Sequence, residues 1–210
     1  MLDIDQTYMI HFKPLIDRKK AIIGSVKFDL KWIEEEPTEQ QWTYDADKWR
    51  AKTSVRYRRL EDGHASLGCK HIQAYKDIVF NRYKSSLILE DDVILCDSFE
   101  EKFNLFLSQT PSDWDFIYIG SACGLRVDWC EVNPEQSAYK RYHPASKCTD
   151  SYCIKLEAAE KILETIIPFS CPIDFELNYQ MELHNMNVYW WEPTLVEQGS
   201  HKGLYGSSIQ

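Results

Sequence analysis

The chain alternates between short apolar runs and longer segments whose apolar residues recur at helical spacing. Strands are predicted at 8–12, 26–33, 86–89, 114–119, 152–156 and 188–191, and helices at 17–26, 64–80, 99–107, 157–167 and 173–185. Strands that alternate with helices pack as a sheet covered by helices. The order therefore predicts an α/β sandwich with a mostly parallel central sheet. Because we find no linker and no internal repeat, we expect one domain over residues 1–210.

The composition is that of a globular protein with many aromatic side chains. Hydrophobic residues make up 44%, charged residues 27% and aromatic residues 13%, which excludes a disordered chain, a coiled coil or a collagen-like fibre. The net charge of -9 disfavours nucleic-acid binding, because an acidic protein repels phosphate backbones. An anionic ligand would therefore need a metal ion or a local basic cluster. One such cluster, unless it is only a solvated face, consists of Arg50, Lys52, Arg56, Arg58 and Arg59.

The lengths of the hydrophobic runs and the spacing of the cysteines bear on the cellular location of the protein. No uninterrupted apolar run exceeds four residues, whereas a membrane span needs about 20 and a signal-peptide core about seven. The seven cysteines include no Cys-x-x-Cys pair, so we expect reduced thiols rather than a structural zinc site. These features predict a cytoplasmic protein without a transmembrane segment, although the chain could be a piece of a longer one.

Three carboxylates follow directly on the apolar strand predicted at residues 86–89. Glu90, Asp91 and Asp92 would lie at the carboxyl end of that strand, which is where ligands bind in an open α/β sheet. Adjacent like charges repel one another unless a cation lies between them, and carboxylate oxygens suit Mg²⁺ or Mn²⁺. The motif predicts a divalent metal site. The alternative is an acidic first turn of the next helix.

Several other nucleotide and phosphate motifs are missing. The chain has no Gly-x-x-x-x-Gly-Lys-Ser/Thr, no Gly-x-Gly-x-x-Gly after the first strand and no Gly-x-Ser-x-Gly, which excludes a P-loop and disfavours dinucleotide binding and a nucleophile elbow. A haloacid-type phosphatase would have Asp where Glu90 stands.

Two further segments carry candidate functional side chains. Asp174 and Glu176 begin a predicted helix after a proline, and either could act as a general base or simply complement the helix dipole. In the tail, His201 could supply a nitrogen ligand and Lys202 could meet a phosphate. Glycines at 199, 203 and 206 would let this segment close over a ligand, unless it is a solvated loop.

The order of the motifs resembles glycosyltransferase family 25, which includes bacterial lipooligosaccharide galactosyltransferases and collagen β-galactosyltransferases. Segments similar to those of the family occur in the family order over nearly the whole chain. Three of them carry recognisable motifs: Gly68, Cys69 and His71, with Lys70 in place of the family's Ser; Ile-Leu-Glu-Asp-Asp-Val at 88–93; and Pro-x-Asp at 172–174. The other similar segments are 8–20, 113–120, 152–163 and the end of the chain with Pro193, Gln198 and Ser207. Two regions depart from the family. The first turn reads Phe-Lys-Pro at 12–14 where the family often has Asn-Leu, and residues 121–148 match no family segment.

The resemblance implies a GT-A (Rossmann-like) fold and an inverting, metal-dependent hexosyltransferase. Such an enzyme moves a sugar, with galactose or glucose favoured, from a UDP-sugar to a hydroxyl of a glycan or glycoprotein acceptor. On this interpretation Mn²⁺ or Mg²⁺ is held by Asp92, with Asp91 and His201 as further ligands. The donor is contacted by Glu90, Asp91, Lys202, Arg56 and Arg59. Asp174, which matches the family segment, is favoured over Glu176 as the base.

Two other classes stay open. A sugar-phosphate nucleotidyltransferase would also combine an α/β sheet, a metal and a nucleotide, but it needs a glycine-rich phosphate loop that the lone Gly24 does not supply. A non-catalytic, glycosyltransferase-like binding module would keep the fold and lose the metal motif, whereas Glu90, Asp91 and Asp92 are all present.

Overall fold

The structure is a computed structural model that describes residues 1–34 and 60–206. Within these residues seven strands form one central sheet, in the order β2-β1-β3-β7-β5-β8-β6. They are β1 (Gln6–Ile10), β2 (Lys31–Ile33), β3 (Ser85–Glu90), β5 (Phe116–Tyr118), β6 (Ala138–Arg141), β7 (Ser151–Lys155) and β8 (Val188–Trp191). A separate two-stranded antiparallel sheet is formed by β4 (Val93–Leu95) and β9 (Val196–Gln198).

The central sheet is mostly parallel, as the sequence predicts. Strands β1, β2, β3, β5 and β8 all run the same way, whereas β7 and β6 run against them. Because β7 lies between β3 and β5 and is antiparallel to both, its first residues meet the carboxyl end of β3. The Glu90 backbone N–H donates a hydrogen bond to the Asp150 carbonyl oxygen at 2.8 Å. The reversed strand thus brings a second acidic segment to the predicted metal site.

Helices cover both faces of the sheet. The helices are α1 (Ile16–Ser25), α2 (Asp62–Asn81), α3 (Phe99–Gln109), α4 (Leu156–Thr165) and α5 (Ile173–Leu183), with a short 3₁₀ turn at Ala122–Gly124. One apolar core joins α2, α4 and α5 to the face that carries Ile88. The other joins α1 and α3 to the face that carries Leu87 and Leu89. Successive strand residues point to opposite faces, so a single apolar run supplies both cores of the predicted sandwich.

Several strands differ from the expectation. The strand predicted at 26–33 is limited to Lys31–Ile33, and the unassigned stretch 121–148 contains β6. Strands β4 and β9 were not predicted. Among the described residues β6 is an edge strand that pairs only with β8, and its Ala-Tyr-Lys-Arg sequence lacks an apolar alternation. No helix in the part of the chain that the structure describes is long and apolar enough to cross a membrane.

The end of β5 approaches β7 so closely that only glycine fits at position 120. A Cβ atom on Gly120 would lie 2.1 Å from Asp150 Oδ2 and 2.3 Å from Ser151 Oγ.

We expect Gly120→Ala to lower the free energy of unfolding by roughly 1–3 kcal/mol through overpacking, measured by urea denaturation. The matched control is Gly24→Ala in α1, where nothing lies within 4 Å of the new Cβ. There alanine should stabilise the helix by about 0.5–1 kcal/mol. Equal effects at the two sites would contradict the close approach.

Candidate functional site

An open cleft lies at the carboxyl ends of β1 and β3. Its walls come from the residues after β1, the acidic motif after β3, the first turns of α2 and the segment after β9. The side chains that line the cleft include His11, Phe12, Arg18, Lys70, Asp92 and Ser200. The cleft therefore lies where a ligand is expected in an open α/β sheet.

Asp91 is held by basic groups from the first part of the chain. Its Oδ1 accepts a hydrogen bond from Arg18 Nη1 at 2.8 Å, and its Oδ2 lies 2.7 Å from His11 Nδ1 and 3.2 Å from the backbone N–H of Phe12. Arg18 also donates to the Gly206 carbonyl oxygen and stacks on the ring of Tyr205. Asp91 thus joins β3, the segment after β1 and the tail. Both of its carboxylate oxygens therefore already have hydrogen-bond partners within the protein. The roles of Asp91 as a metal ligand and as a contact of the sugar donor stay predictions.

Asp92 has the opposite environment, although it is the next residue. Its side chain is buried, with 4% of the residue exposed, and its Oδ1 has no hydrogen-bond partner among the described residues. Burial, and then the charge of Glu90, raise the pKa of Asp92, while a hydrogen bond with the Ser200 side chain lowers it. A buried carboxylate oxygen without a partner is energetically costly, so this site favours a cation.

Glu90 extends the negative field towards β7 and α5. It accepts a hydrogen bond from Thr149 Oγ1 at 2.6 Å, and the same oxygen lies 3.5 Å from His71 Nε2. Its charge contributes to raised pKa values at Asp92, Asp150 and Asp174. The charge of Glu90 therefore acts on three other carboxyl groups.

Asp150 is fully buried within this acidic group. Burial, and then the charge of Glu90, raise the pKa of Asp150 to about 8, while a hydrogen bond from Ser151 Oγ acts in the opposite direction. Lys147 is also completely buried, and its Nζ lies 4.8 Å from the centre of the Trp190 ring with no hydrogen-bond partner in the described residues. Burial lowers the pKa of Lys147 to about 8.

The donor set fits a divalent cation shared with a phosphate ligand. Within 1–34 and 60–206, no three His, Cys, Asp or Glu side chains are arranged as a complete metal site. Mg²⁺, however, is commonly bound by one or two carboxylates and completed by substrate phosphates and water. The unpartnered Oδ1 of Asp92 supplies one such oxygen.

Basic groups on the cleft wall come from helices, and the sequence analysis did not assign them. Lys70 is nearly buried in α2; its Nζ donates to Ser66 Oγ at 3.0 Å and lies 5.4 Å from the centre of the Phe12 ring. Arg18 reaches the same cleft from α1. One signal for Lys70 was its place in the family motif, where it replaces a serine.

The two candidate bases in α5 have different surroundings. Burial raises the pKa of the half-buried Asp174, and the charge of Glu90 adds to that effect. Glu176 faces its own helix and the preceding loop, because its carboxylate accepts hydrogen bonds from Gln180 Nε2 at 3.3 Å and Cys171 Sγ at 3.3 Å. The predicted choice of Asp174 over Glu176 as the base stays a prediction.

The tail candidates make contacts outside the acidic motif. His201 is exposed, and its Nε2 lies 3.6 Å from Cys123 Sγ. Lys202 Nζ lies 3.0 Å from Glu197 Oε1. The tail itself packs on the motif, since the Gly199 N–H donates to the Asp92 carbonyl oxygen at 2.6 Å. Arg56 and Arg59 lie outside the described residues, so their predicted donor contacts stay predictions. The predicted donor contact of Lys202 and the predicted metal ligation by His201 stay predictions as well.

The residues that sequence reasoning missed lie around Glu90. Thr149 and Asp150 reach it only because β7 runs antiparallel to β3, and no local pattern reports that direction. His71 was noted only as a match to the family motif; it is fully buried, and its Nδ1 lies 2.7 Å from the Tyr152 hydroxyl.

A solved structure is similar in fold to this chain. A crystal structure of a glycosyltransferase involved in the glycosylation of the major capsid of PBCV-1 is similar over 97% of this chain and 94% of that chain, with a TM-score of 0.50 and 13% identity. The likeness supports the expected GT-A type of α/β fold.

The family is shown by sequence. The model of glycosyltransferase family 25, described as LPS biosynthesis protein, matches residues 5–177, and the chain belongs to that family. Procollagen galactosyltransferase 2 of Mus musculus is 24% identical over 211 residues, which cover 90% of this chain and 32% of that protein. The chain thus spans about a third of the length of this relative. The predicted resemblance is confirmed.

The adjacent carboxylates predict opposite effects on stability. Asp91→Ala should lower the free energy of unfolding by about 3–5 kcal/mol, because it leaves Arg18 buried without its charge partner. Asp92→Ala removes a carboxylate that has an unpartnered oxygen and repels Glu90, so stability should stay within about 1 kcal/mol of the native value or rise. Urea denaturation of the two variants without added metal checks the contrast, which a larger loss at Asp92 would overturn.

Asp150 predicts a pH dependence of stability. Its pKa is about 8 in the folded protein against 3.8 in the reference state, so between these values the folded chain holds a proton that the unfolded chain releases. Stability should therefore fall as pH rises from about 4 to about 8, by at most ~1.4 kcal/mol per pH unit. Asp150→Asn keeps the shape without the titration and should flatten the curve between pH 5 and 7. Parallel curves for the two proteins would exclude Asp150 as the cause.

Proposed function

We propose that this chain is an inverting hexosyltransferase. It takes a sugar from a nucleoside-diphosphate donor, with UDP-galactose or UDP-glucose favoured, and transfers it to a hydroxyl of a glycan or glycoprotein in a reaction that depends on Mn²⁺ or Mg²⁺. Family membership supports sugar transfer. The galactosyltransferase relative supports the choice of sugar, over the part of its length that this chain covers.

One observation carries the proposal for this site. Asp92 presents a buried carboxylate oxygen without a hydrogen-bond partner among the described residues, in a cleft that also contains Arg18 and Lys70. A site that combines an unsatisfied anion with two cations suits a ligand that brings both a metal ion and phosphates.

Each side chain has a separate task in the transfer. A divalent cation held by Asp92 would offset the negative charge that develops on the departing diphosphate. Arg18 and Lys70 bind the same diphosphate from the cleft wall, and Asp91 holds the Arg18 guanidinium in place. The Nζ of Lys70 lies 5.4 Å from the centre of the Phe12 ring.

Asp174 takes the proton from the acceptor hydroxyl. Burial raises the pKa of its carboxyl, which makes it a stronger base than an exposed aspartate. The hydroxyl attacks the anomeric carbon from the face opposite the diphosphate, so the configuration inverts. Glu176 stabilises α5 and the preceding loop through Gln180 and Cys171.

The test is the release of UDP from UDP-galactose and UDP-glucose, with and without Mn²⁺, where water replaces the unknown acceptor. Asp92→Asn should abolish metal-dependent release. Asp174→Asn should slow turnover on the order of 10²- to 10⁴-fold with UDP affinity nearly unchanged, because the base does not hold the nucleotide. Glu176→Gln is the matched control in the same helix and should keep the rate.

Other outcomes would favour the other classes. Release of pyrophosphate from UTP and a sugar phosphate would indicate a nucleotidyltransferase. UDP-sugar binding without turnover in the presence of Mn²⁺ and a panel of glycan acceptors would indicate a binding module. The same panel with GDP- and TDP-sugars tests the choice of nucleotide.

A further inference from the structure

Two cysteines meet at the edge of the acidic site. Cys123 lies in the 3₁₀ turn after β5, and Cys148 lies 25 residues later, before β7. Their Sγ atoms are 3.3 Å apart, and both residues are free thiols. A disulfide has an S–S distance of about 2.0 Å, so the sulfurs need to approach by little more than 1 Å for a bond to form.

The backbone on both sides is held in an unusual conformation. Cys123 has φ of 55° and Cys148 has φ of 64°, values in the left-handed region that side chains other than glycine rarely adopt. Such conformations persist only where the surrounding structure imposes them, and they cluster at functional sites. The fold therefore holds the backbone at both cysteines in a fixed conformation, and in that conformation their sulfurs are 3.3 Å apart.

Exposure allows a reagent to reach the pair from one side. Cys123 is exposed and Cys148 is half-buried. An exposed thiol beside a second thiol is the arrangement in which a mixed disulfide forms first and is then resolved internally.

We propose that Cys123 and Cys148 are a modification site that forms an internal disulfide by exchange with a small-molecule disulfide such as oxidised glutathione. The Cys123 thiolate attacks one sulfur of the reagent, breaks its S–S bond and releases one thiol. The Cys148 thiolate then attacks Cys123 Sγ and releases the second thiol. The protein loses two protons and two electrons, and the reagent is reduced to two thiols.

The bond would tie together segments that shape the site. Cys123 follows Gly120, which packs against Asp150, and Cys148 precedes Asp150 by two residues. Cys123 Sγ also contacts His201 of the tail. Oxidation therefore joins the turn after β5 to the segment before Asp150 and changes a contact of the tail. The formation of this disulfide does not depend on the proposed sugar transfer.

The test is thiol counting and peptide mapping of the folded chain after incubation with oxidised glutathione. Of the seven cysteines, two should become resistant to alkylation without a bound glutathione, and dithiothreitol should restore both. Trypsin should yield the peptide 103–126 linked to the peptide 148–155. Fragmentation should place the bond at Cys148 rather than at Cys153, which shares that peptide.

Serine variants provide matched controls. Cys123→Ser should abolish the linked peptide, and Cys148→Ser should leave a lasting glutathione adduct on Cys123. Cys130→Ser, at another exposed cysteine, should behave like the native chain. The proposal is overturned if the native chain forms only mixed disulfides, if the bond joins Cys123 to Cys153, or if a chelator alone restores alkylation, which would indicate a bound metal. The peptide map is made on the native chain, so the proposal can still be tested if one of the serine variants fails to fold.

Discussion

Repulsion between carboxyl groups at the carboxyl end of β3 is the constraint on which the candidate site depends. The charge of Glu90 acts there on Asp92, Asp150 and Asp174, and burial raises the pKa of all three. The sandwich tolerates this group because the two apolar cores on either face of the sheet supply the stability. A cation and its phosphate ligand would relieve the repulsion, so the same carboxylates that weaken the empty protein favour the bound one.

Sequence reasoning located the site but could not separate the roles of neighbouring residues. The apolar run before Glu90 predicts a buried strand, and its end predicts a ligand site. Asp91 and Asp92 are indistinguishable in that pattern, yet one meets Arg18 and His11 while the other keeps an unpartnered oxygen in the described residues. The difference depends on contacts between segments about 70 to 80 residues apart, which no local spacing reports.

The fold shows the same division between local and long-range information. Helices α2, α4 and α5 and strands β3 and β8 follow from periodicity, because each buries a continuous apolar face. The antiparallel insertion of β7 does not, although it is what brings Thr149 and Asp150 to Glu90. β6 was missed because an edge strand pairs on one side only and needs no apolar alternation.

The environment of Asp91 also bears on how an acidic cleft would receive the proposed anionic donor. Arg18 forms an ion pair with Oδ1 of Asp91. His11 and the Phe12 N–H contact Oδ2 of the same carboxylate. This arrangement keeps the guanidinium at the cleft wall, while Asp92 Oδ1 has no hydrogen-bond partner among the described residues. If Arg18 paired with Asp92 instead, the proposed metal ligand would already be occupied. On the proposed function, Asp91 holds the basic group that meets the diphosphate, and Asp92 is left to hold the divalent ion.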